Sequence, residues 1–267
     1  MKSYLAMFRM KFIAGLQYRA AAWAGVATQF FFGFVYIMIY LAFYKNSSTT
    51  PPMPIPQLVS YMWLQQAFLA LIMLWWQDDD LMSQISNGYV AYELCRPYDL
   101  FNFWYARLLA MRLSNVLLRC VPILLITFFL PAPYCMNPPS GAGAGLWFLA
   151  SLLLGSVLVV AISMFIYILT FITLSPVGSR VIITVTAEFL MGAVIPIPLM
   201  PAWLQKIMNW FPFRYTSDLP FRIYSGNIAG EEAAFQTVIQ IVWILVLVAA
   251  GRLAFRSVMK RTVIQGG

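Results

Sequence analysis

Residues 146–174 read LWFLASLLLGSVLVVAISMFIYILTFITL, an unbroken apolar run without one charged side chain. A helix needs about 20 apolar residues to cross the hydrocarbon core of a bilayer, so this run is long enough to span a membrane. The whole chain shares its character, with 62% hydrophobic residues, 10% charged residues and a mean hydropathy of +0.78. A soluble protein is about half apolar and a quarter charged. We therefore predict an all-α, polytopic integral membrane protein.

Five further apolar segments accompany this run and bring the predicted number of transmembrane helices to six. The fifth is the weakest, because Glu188, Gly192, Pro196 and Pro198 interrupt it. Short connections join the spans, so we expect a single transmembrane domain over residues 1–267. The six predicted spans are residues 20–44, 58–76, 113–130, 146–174, 181–200 and 233–255.

The distribution of basic residues predicts the orientation. If the N-terminus is cytoplasmic, 12 of the 17 Lys and Arg residues fall in cytoplasmic segments and four outside, with Arg119 inside a span. An excess of Lys and Arg in cytoplasmic loops is typical of membrane proteins, so we expect both termini to be cytoplasmic. The net charge of +8 has the same explanation, and we expect no nucleic-acid partner.

The first 19 residues predict a basic amphipathic helix on the membrane surface. Lys2, Arg9, Lys11 and Arg19 are spread along the segment, and no small-residue cleavage site follows a short apolar core. The segment is therefore not expected to be a cleaved signal peptide. Its apolar side is expected to contact membrane lipid.

Several kinds of chemistry are excluded by missing residue types. The chain has no histidine, which excludes histidine-dependent proteases and histidine-ligated metal centres. Cys95, Cys120 and Cys135 are far apart and form no C-x-x-C pair. The phosphate-binding motif G-x-x-x-x-G-K-[ST] is also missing, so the chain cannot by itself hydrolyse a nucleotide. We expect no catalytic residue, metal or cofactor on this chain.

The loop over residues 77–100 is the predicted functional segment. It begins with three aspartates, Asp78 to Asp80, and continues with Leu81 and Ile85 on one face of a short amphipathic helix. Such an element could dock into a groove on a cytosolic partner, or it could be an ordinary interfacial loop. The spacing alone leaves both interpretations open.

The same loop resembles the ABC-2-type permeases, the membrane subunits of ATP-binding cassette exporters. The resemblance rests on Ile85-x-x-Gly88, followed by Leu94-Cys95-Arg96-Pro97, between predicted spans two and three. It extends to Gly192, Pro196, Pro198, Pro201-Ala-Trp203, Asn209-Trp-Phe211-Pro212-Phe213 and Leu219-Pro220. The closest subfamily is the one usually found as two permeases with one ATPase.

The resemblance implies a mechanism and a set of site residues. The loop would contain a coupling helix that inserts into a cytosolic ATP-binding cassette ATPase, present in two copies, which binds ATP and Mg²⁺. A second permease subunit, identical or divergent, would complete the pathway in the cytoplasmic (inner) membrane of a bacterium. The substrate would be a hydrophobic, amphipathic or cationic compound of the drug, peptide, lipid or glycan class. The implied coupling residues are Asp80, Leu81, Ile85, Gly88, Leu94, Arg96 and Pro97, and the implied outer re-entrant region, 196–220, adds Gly192, Pro196, Pro198, Pro201, Trp203 and Pro212.

Acidic and basic residues in or beside the spans leave alternatives open. Glu188 could line the pathway, or it could form a structural pair with Arg119 or contact Thr184 and Thr186. Asp78 and Asp79 are expected to be solvated. Ser151 and Gly155 form a small-x-x-x-small pattern, for which packing within the subunit is the default expectation.

Two other functions compete with the exporter. One is an integral membrane enzyme acting on a lipid substrate, but a D-D-x-x-D motif would need an acidic residue at Met82. The other is an ATP-independent secondary carrier in which Glu188 relays protons. Copurification of a cytosolic ATPase would separate the exporter from both.

Overall fold

The computed structural model describes residues 2–46 and 51–261, and within these ranges the secondary structure is helical, without strands. Residues 47–50 of the predicted Pro-rich loop lie outside the described ranges. The all-α prediction is confirmed. The α-helices are α1 (Lys2–Gly15), α2 (Arg19–Lys45), α3 (Ile55–Ala67), α4 (Leu69–Ile72), α5 (Asp79–Ser86), α6 (Val90–Leu94), α7 (Leu100–Thr127), α8 (Ala142–Thr173), α9 (Pro176–Leu190), α10 (Ala202–Asn209), α11 (Asp218–Tyr224) and α12 (Gly230–Arg261).

Four described helices are long and apolar enough to cross a membrane. They are Arg19–Lys45, Leu100–Thr127, Ala142–Thr173 and Gly230–Lys260. They overlap the predicted first, third, fourth and sixth spans. Their number is consistent with a multi-pass membrane protein.

The predicted second and fifth spans are not single long helices. The second is divided into α3 and α4 by a distorted residue, Phe68, and the chain becomes extended at Met73. The fifth ends with α9 at Leu190, after which Gly192 adopts a φ of +78°. A positive φ is accessible to glycine at little cost, so the helix can turn there. The prolines at 196 and 198 lack the N–H that a continuing helix would need.

The centre of the bundle is α8, which packs against α5, α7, α9, α11 and α12. Most of its residues from Leu158 to Ile168 are buried. By contrast, α12 exposes a long apolar face that includes Leu245 and Leu253. In a bilayer, such a face can contact lipid without the cost of exposing it to water.

The predicted N-terminal helix is present as α1, and it runs beside the first half of α7. The backbone N–H of Asp99 donates to the Tyr4 hydroxyl at 3.0 Å. At the other end of α1, Gly15 lies so close to the Ser114 side chain that a Cβ would not fit. Leu5 and Ile13 remain exposed, as expected for a helix with one apolar side toward lipid.

The segment between α9 and α12 returns into the bundle. A 3-10 helix, Pro212–Thr216, brings the Thr216 carbonyl against Gly155 of α8. Gly155 lies 13 residues into α8, roughly 20 Å along its axis. The bundle therefore has a loop end, formed by residues 77–99, and a far end, formed by residues 193–228.

Candidate functional site

The loop end is built on α5, whose apolar face points into the bundle. Leu81, Met82 and Ile85 are all buried, in one cluster with α7 and α8. The Thr170 hydroxyl of α8 lies 3.5 Å from the Met82 sulfur. The start of α5 is capped by Asp78, whose carboxylate accepts from the Leu81 N–H at 3.3 Å.

A glycine turn reverses the chain after α5. Gly88 has a φ of +76°, a left-handed conformation that favours glycine over other residues. The following helix, α6, is anchored by Val90, which is buried, and by Glu93, which accepts a hydrogen bond from the Trp104 indole at 2.6 Å. The loop is therefore folded onto the bundle at both of its short helices.

The outer surface of this loop presents an apolar patch. Tyr89 is 59% exposed, Tyr92 72% and Leu94 43%. The two tyrosine rings stack with their centroids 6.3 Å apart. Arg96 and Pro97 follow directly and are also exposed. We call Tyr89, Tyr92, Leu94 and Arg96 the coupling patch.

The predicted coupling residues are thus divided between two faces of the loop. Leu81 and Ile85 support it from inside, and Gly88 forms its turn. Leu94, Arg96 and Pro97 reach the surface, and so does Asp80. Sequence reasoning missed Tyr89 and Tyr92, although their placement around a Gly turn and a short helix could have indicated an exposed pair.

A network of ion pairs holds the loop end together. Arg107 of α7 donates to Asp78 at 2.6 and 2.9 Å and to Asp80 at 3.3 Å. Lys11 of α1 lies 3.8 Å from both carboxylates. Asp79 is exposed and pairs with Arg180 of α9. The prediction that Asp78 is solvated is wrong, because its side chain is 6% exposed and is fully engaged with Arg107.

Arg112 explains how the broken second span is tolerated. It is buried and donates to the backbone carbonyls of Leu71 at 3.2 Å, Met73 at 2.8 Å and Trp76 at 3.0 Å. It also donates to the Ser163 hydroxyl of α8 at 3.0 Å. Carbonyl groups freed at the end of a helix need such donors when they are buried.

The two isolated charges of the spans lie apart. The Arg119 guanidinium lies over the Trp76 ring, 4.4 Å from its centroid, and crowds Gly25 of α2. Within the described residues, Glu188 forms no ion pair, and one of its buried carboxylate oxygens has no hydrogen-bond partner. Thr186 donates instead to the Ile182 carbonyl, and the Thr184 hydroxyl is without a partner in the same ranges. Within the described ranges, Glu188 therefore forms neither an ion pair with Arg119 nor a hydrogen bond with these threonines.

The residues predicted for the re-entrant region lie in a segment in which the chain changes direction several times. Pro198 lies in a short 3-10 helix that Pro196 precedes, and Pro201 precedes α10. Gln205 of α10 donates to the Pro198 carbonyl at 3.2 Å and the Met200 carbonyl at 2.7 Å. Trp203 is 65% exposed, whereas Pro212 is buried at the start of the segment that reaches Gly155.

A buried carboxylate at the far end was not found from the sequence. Asp218 is 0% exposed and accepts a hydrogen bond from the Tyr61 hydroxyl at 3.1 Å. Arg222, one turn later in α11, lies 3.5 Å from its second oxygen. Tyr61 lies in α3 and Asp218 in α11, 157 residues later in the chain. Sequence spacing therefore gave no signal of this contact.

Packing within the subunit explains the small residues of α8, as predicted. The Ser151 hydroxyl donates to the Gln240 side chain of α12 at 3.0 Å. A Cβ at Gly155 would lie 2.7 Å from the Thr216 carbonyl oxygen. Both residues therefore allow close contacts inside the chain.

Within the described ranges, no group of three or more Cys, Asp or Glu residues is arranged to hold a metal ion. The chain matches no protein-family model, no curated protein and no solved structure. The site is therefore interpreted from its residues and geometry.

Proposed function

We propose that this chain is the transmembrane permease subunit of an ATP-binding cassette exporter of the ABC-2 type. In this proposal the loop end transmits work from a cytosolic ATPase to the helical bundle. ATP and Mg²⁺ bind to two copies of that ATPase, and a second permease subunit completes the pathway. The substrate is hydrophobic, amphipathic or cationic and leaves the cell.

The observation that carries the proposal is the coupling patch. Two stacked tyrosines and a leucine are exposed on a short, folded loop outside the long apolar helices. Exposed apolar groups rimmed by polar residues are typical of protein–protein contacts, and tyrosine and arginine are enriched at their energetic centres. Arg96 supplies a cation at the edge of the patch.

The rigid support beneath the patch suits a mechanical role. Leu81 and Ile85 fix α5 on α8, and the Asp78–Arg107 pair joins the loop to α7. A force applied to the patch would therefore move two long helices rather than only a loop. This is the property that coupling between a motor and a transport pathway requires.

The aspartates favour the exporter over the lipid-modifying enzyme. Asp78, Asp79 and Asp80 each pair with Arg or Lys side chains. Magnesium sites in enzymes that act on lipid phosphates need carboxylate oxygens that are free for the metal. The unpartnered oxygen of Glu188 is a feature that favours a proton-coupled carrier.

Photocrosslinking from the coupling patch tests the proposal. A photoreactive phenylalanine at Tyr92 should crosslink to an ATP-binding cassette ATPase coexpressed from the same organism. The same probe at Trp203, which is similarly exposed but belongs to the far end, should not. A carrier or an enzyme would give no ATPase crosslink from either position, and that result would overturn the proposal.

A substitution in the patch gives an independent measurement. Tyr89→Ser with Tyr92→Ser should lower the amount of copurified ATPase at least about tenfold, since central aromatic residues dominate many interfaces. The amount of folded chain in the membrane should be unchanged, because both rings are exposed. Undiminished copurification would contradict the assignment of the patch.

A further inference from the structure

A small basic hollow lies between the start of α7 and the last turns of α12. Its volume is about 230 Å³, and Phe101 and Phe255 form its apolar side. Arg252, Arg256 and Lys260 also line it. This hollow takes no part in the coupling patch.

The three cations follow from the helical repeat. Residues 252, 256 and 260 are spaced by four, which places them on one face of α12. Arg252 is held in position, because its guanidinium lies 5.7 Å from the centre of the Phe101 ring and donates to the Asn102 side chain. Within the described ranges, the side chains of Arg256 and Lys260 form neither a hydrogen bond nor an ion pair.

The hollow keeps a net positive charge. Its one acidic residue is Asp99, so three cations and one anion leave a formal charge of +2. The Asp99 carboxylate already accepts the N–H of Asn102 at 2.8 Å as the cap of α7. Two cations are therefore available to an anionic ligand.

An exposed apolar stripe leads directly away from this hollow. Along α12 the exposed residues change from Ile241, Val242, Leu245 and Val246 to Arg252 and Arg256. From Ile241 to Arg252 the helix rises roughly 16 Å, a large part of one leaflet. The hollow thus lies where an apolar membrane-facing surface meets a basic end.

We propose that this hollow binds the phosphate headgroup of an anionic glycerophospholipid, whose acyl chains lie along the apolar stripe of α12. The guanidinium and ammonium groups would bind the phosphodiester oxygens, for which Arg and Lys are suited. The apolar side from Phe101 and Phe255 would contact the glycerol region. The inference does not depend on transport or on an ATPase partner.

Native mass spectrometry of the full chain released from nanodiscs tests the site. The nanodiscs contain phosphatidylcholine with or without phosphatidylglycerol. The wild-type chain should retain phosphatidylglycerol in preference to phosphatidylcholine. Arg256→Gln with Lys260→Gln should weaken retention about 25-fold, since each cation near an anionic lipid surface contributes roughly fivefold.

Two controls make the result decisive. Lys45→Gln with Lys206→Gln removes the same charge from exposed positions away from the hollow, and it should leave retention unchanged. Excess inorganic phosphate and soluble glycerophosphoglycerol should not displace the lipid, because neither covers the apolar stripe. Equal retention by the two double variants, or displacement by free phosphate, would overturn the proposal.

Discussion

The loop end and the far end of the bundle differ in how closely their buried carboxylates are paired. At the loop end, Asp78 is buried and makes two short hydrogen bonds to Arg107, with Lys11 close by. At the far end, Asp218 is also buried, but one of its oxygens has only Arg222 at 3.5 Å and no hydrogen bond. One end is tied by closely paired charges, and the other holds a carboxylate with spare hydrogen-bonding capacity.

This difference is consistent with separate roles for the two ends in the proposed exporter. A surface that receives force benefits from rigid connections to several helices. A region that opens around a substrate benefits from polar groups that can change partners, since a fully paired buried network resists rearrangement.

Arg107→Met should be the most damaging substitution. It leaves the Asp78 carboxylate buried without its main partner, and breaking a buried pair in this way lowers the free energy of unfolding by about 3–5 kcal/mol. SDS titration in mixed micelles measures the change. Arg180→Met, which breaks the exposed pair with Asp79, is the control and should change stability by less than about 1 kcal/mol. Equal effects would show that the loop end does not depend on the buried pair.

Gly155→Ala tests the close approach of the re-entrant segment to α8. The new methyl group would lie 2.7 Å from the Thr216 carbonyl oxygen, so the backbone must shift. We expect a loss of about 1–3 kcal/mol in the same titration, typical of overpacking. Gly143→Ala is the matched control in α8, because its added methyl group meets open space. It should be neutral or stabilising by up to about 1 kcal/mol, as alanine favours helix. A neutral Gly155→Ala would contradict the return of residues 212–216 to this depth.

Asp218→Asn should have a smaller effect than Arg107→Met. The asparagine keeps an acceptor for the Tyr61 hydroxyl, and Arg222 keeps its 2.7 Å bond to the Asn227 side chain. We expect a loss of about 1 kcal/mol, because the substitution removes only the long ion pair with Arg222, whose two atoms are 3.5 Å apart. Tyr61→Phe, which removes the hydrogen bond that Asp218→Asn keeps, serves as the comparison. A loss as large as that of Arg107→Met would mean that both ends are equally tightly paired.

Glu188→Gln should leave stability almost unchanged. Its carboxylate has no ion pair within the described ranges, so removing the charge breaks none of the described ion pairs. Thermal unfolding of the detergent-solubilised chain measures this directly. A clear destabilisation would reveal a structural role, whereas loss of export by a stable variant would place Glu188 in the pathway.

The fold class and the loop were predictable because their signals are local. The uncharged run over residues 146–174 lies within one helix, and the spacing around Gly88 extends over only a few residues. The break in the second span was not predictable, because Arg112, 39 residues after Met73, supplies the donors that make it stable. The burial of Asp78 likewise depends on Arg107, 29 residues away. From the sequence alone, a charged side chain such as Asp78 is expected to be solvated, because its ion-pair partner lies far away in the chain.

The buried position of α3 has a consequence for how the protein folds during its synthesis. From Leu58 to Ala67 every side chain is buried, including Gln65 and Gln66. During synthesis this segment leaves the ribosome before α7 and α11, which pack against it together with α2. It contains the polar amides of Gln65 and Gln66 and is only about 20 Å long, so it is poorly suited to cross a lipid bilayer alone. The contacts of α3 with α2 can therefore form first, and those with α7 and α11 only after these helices are made.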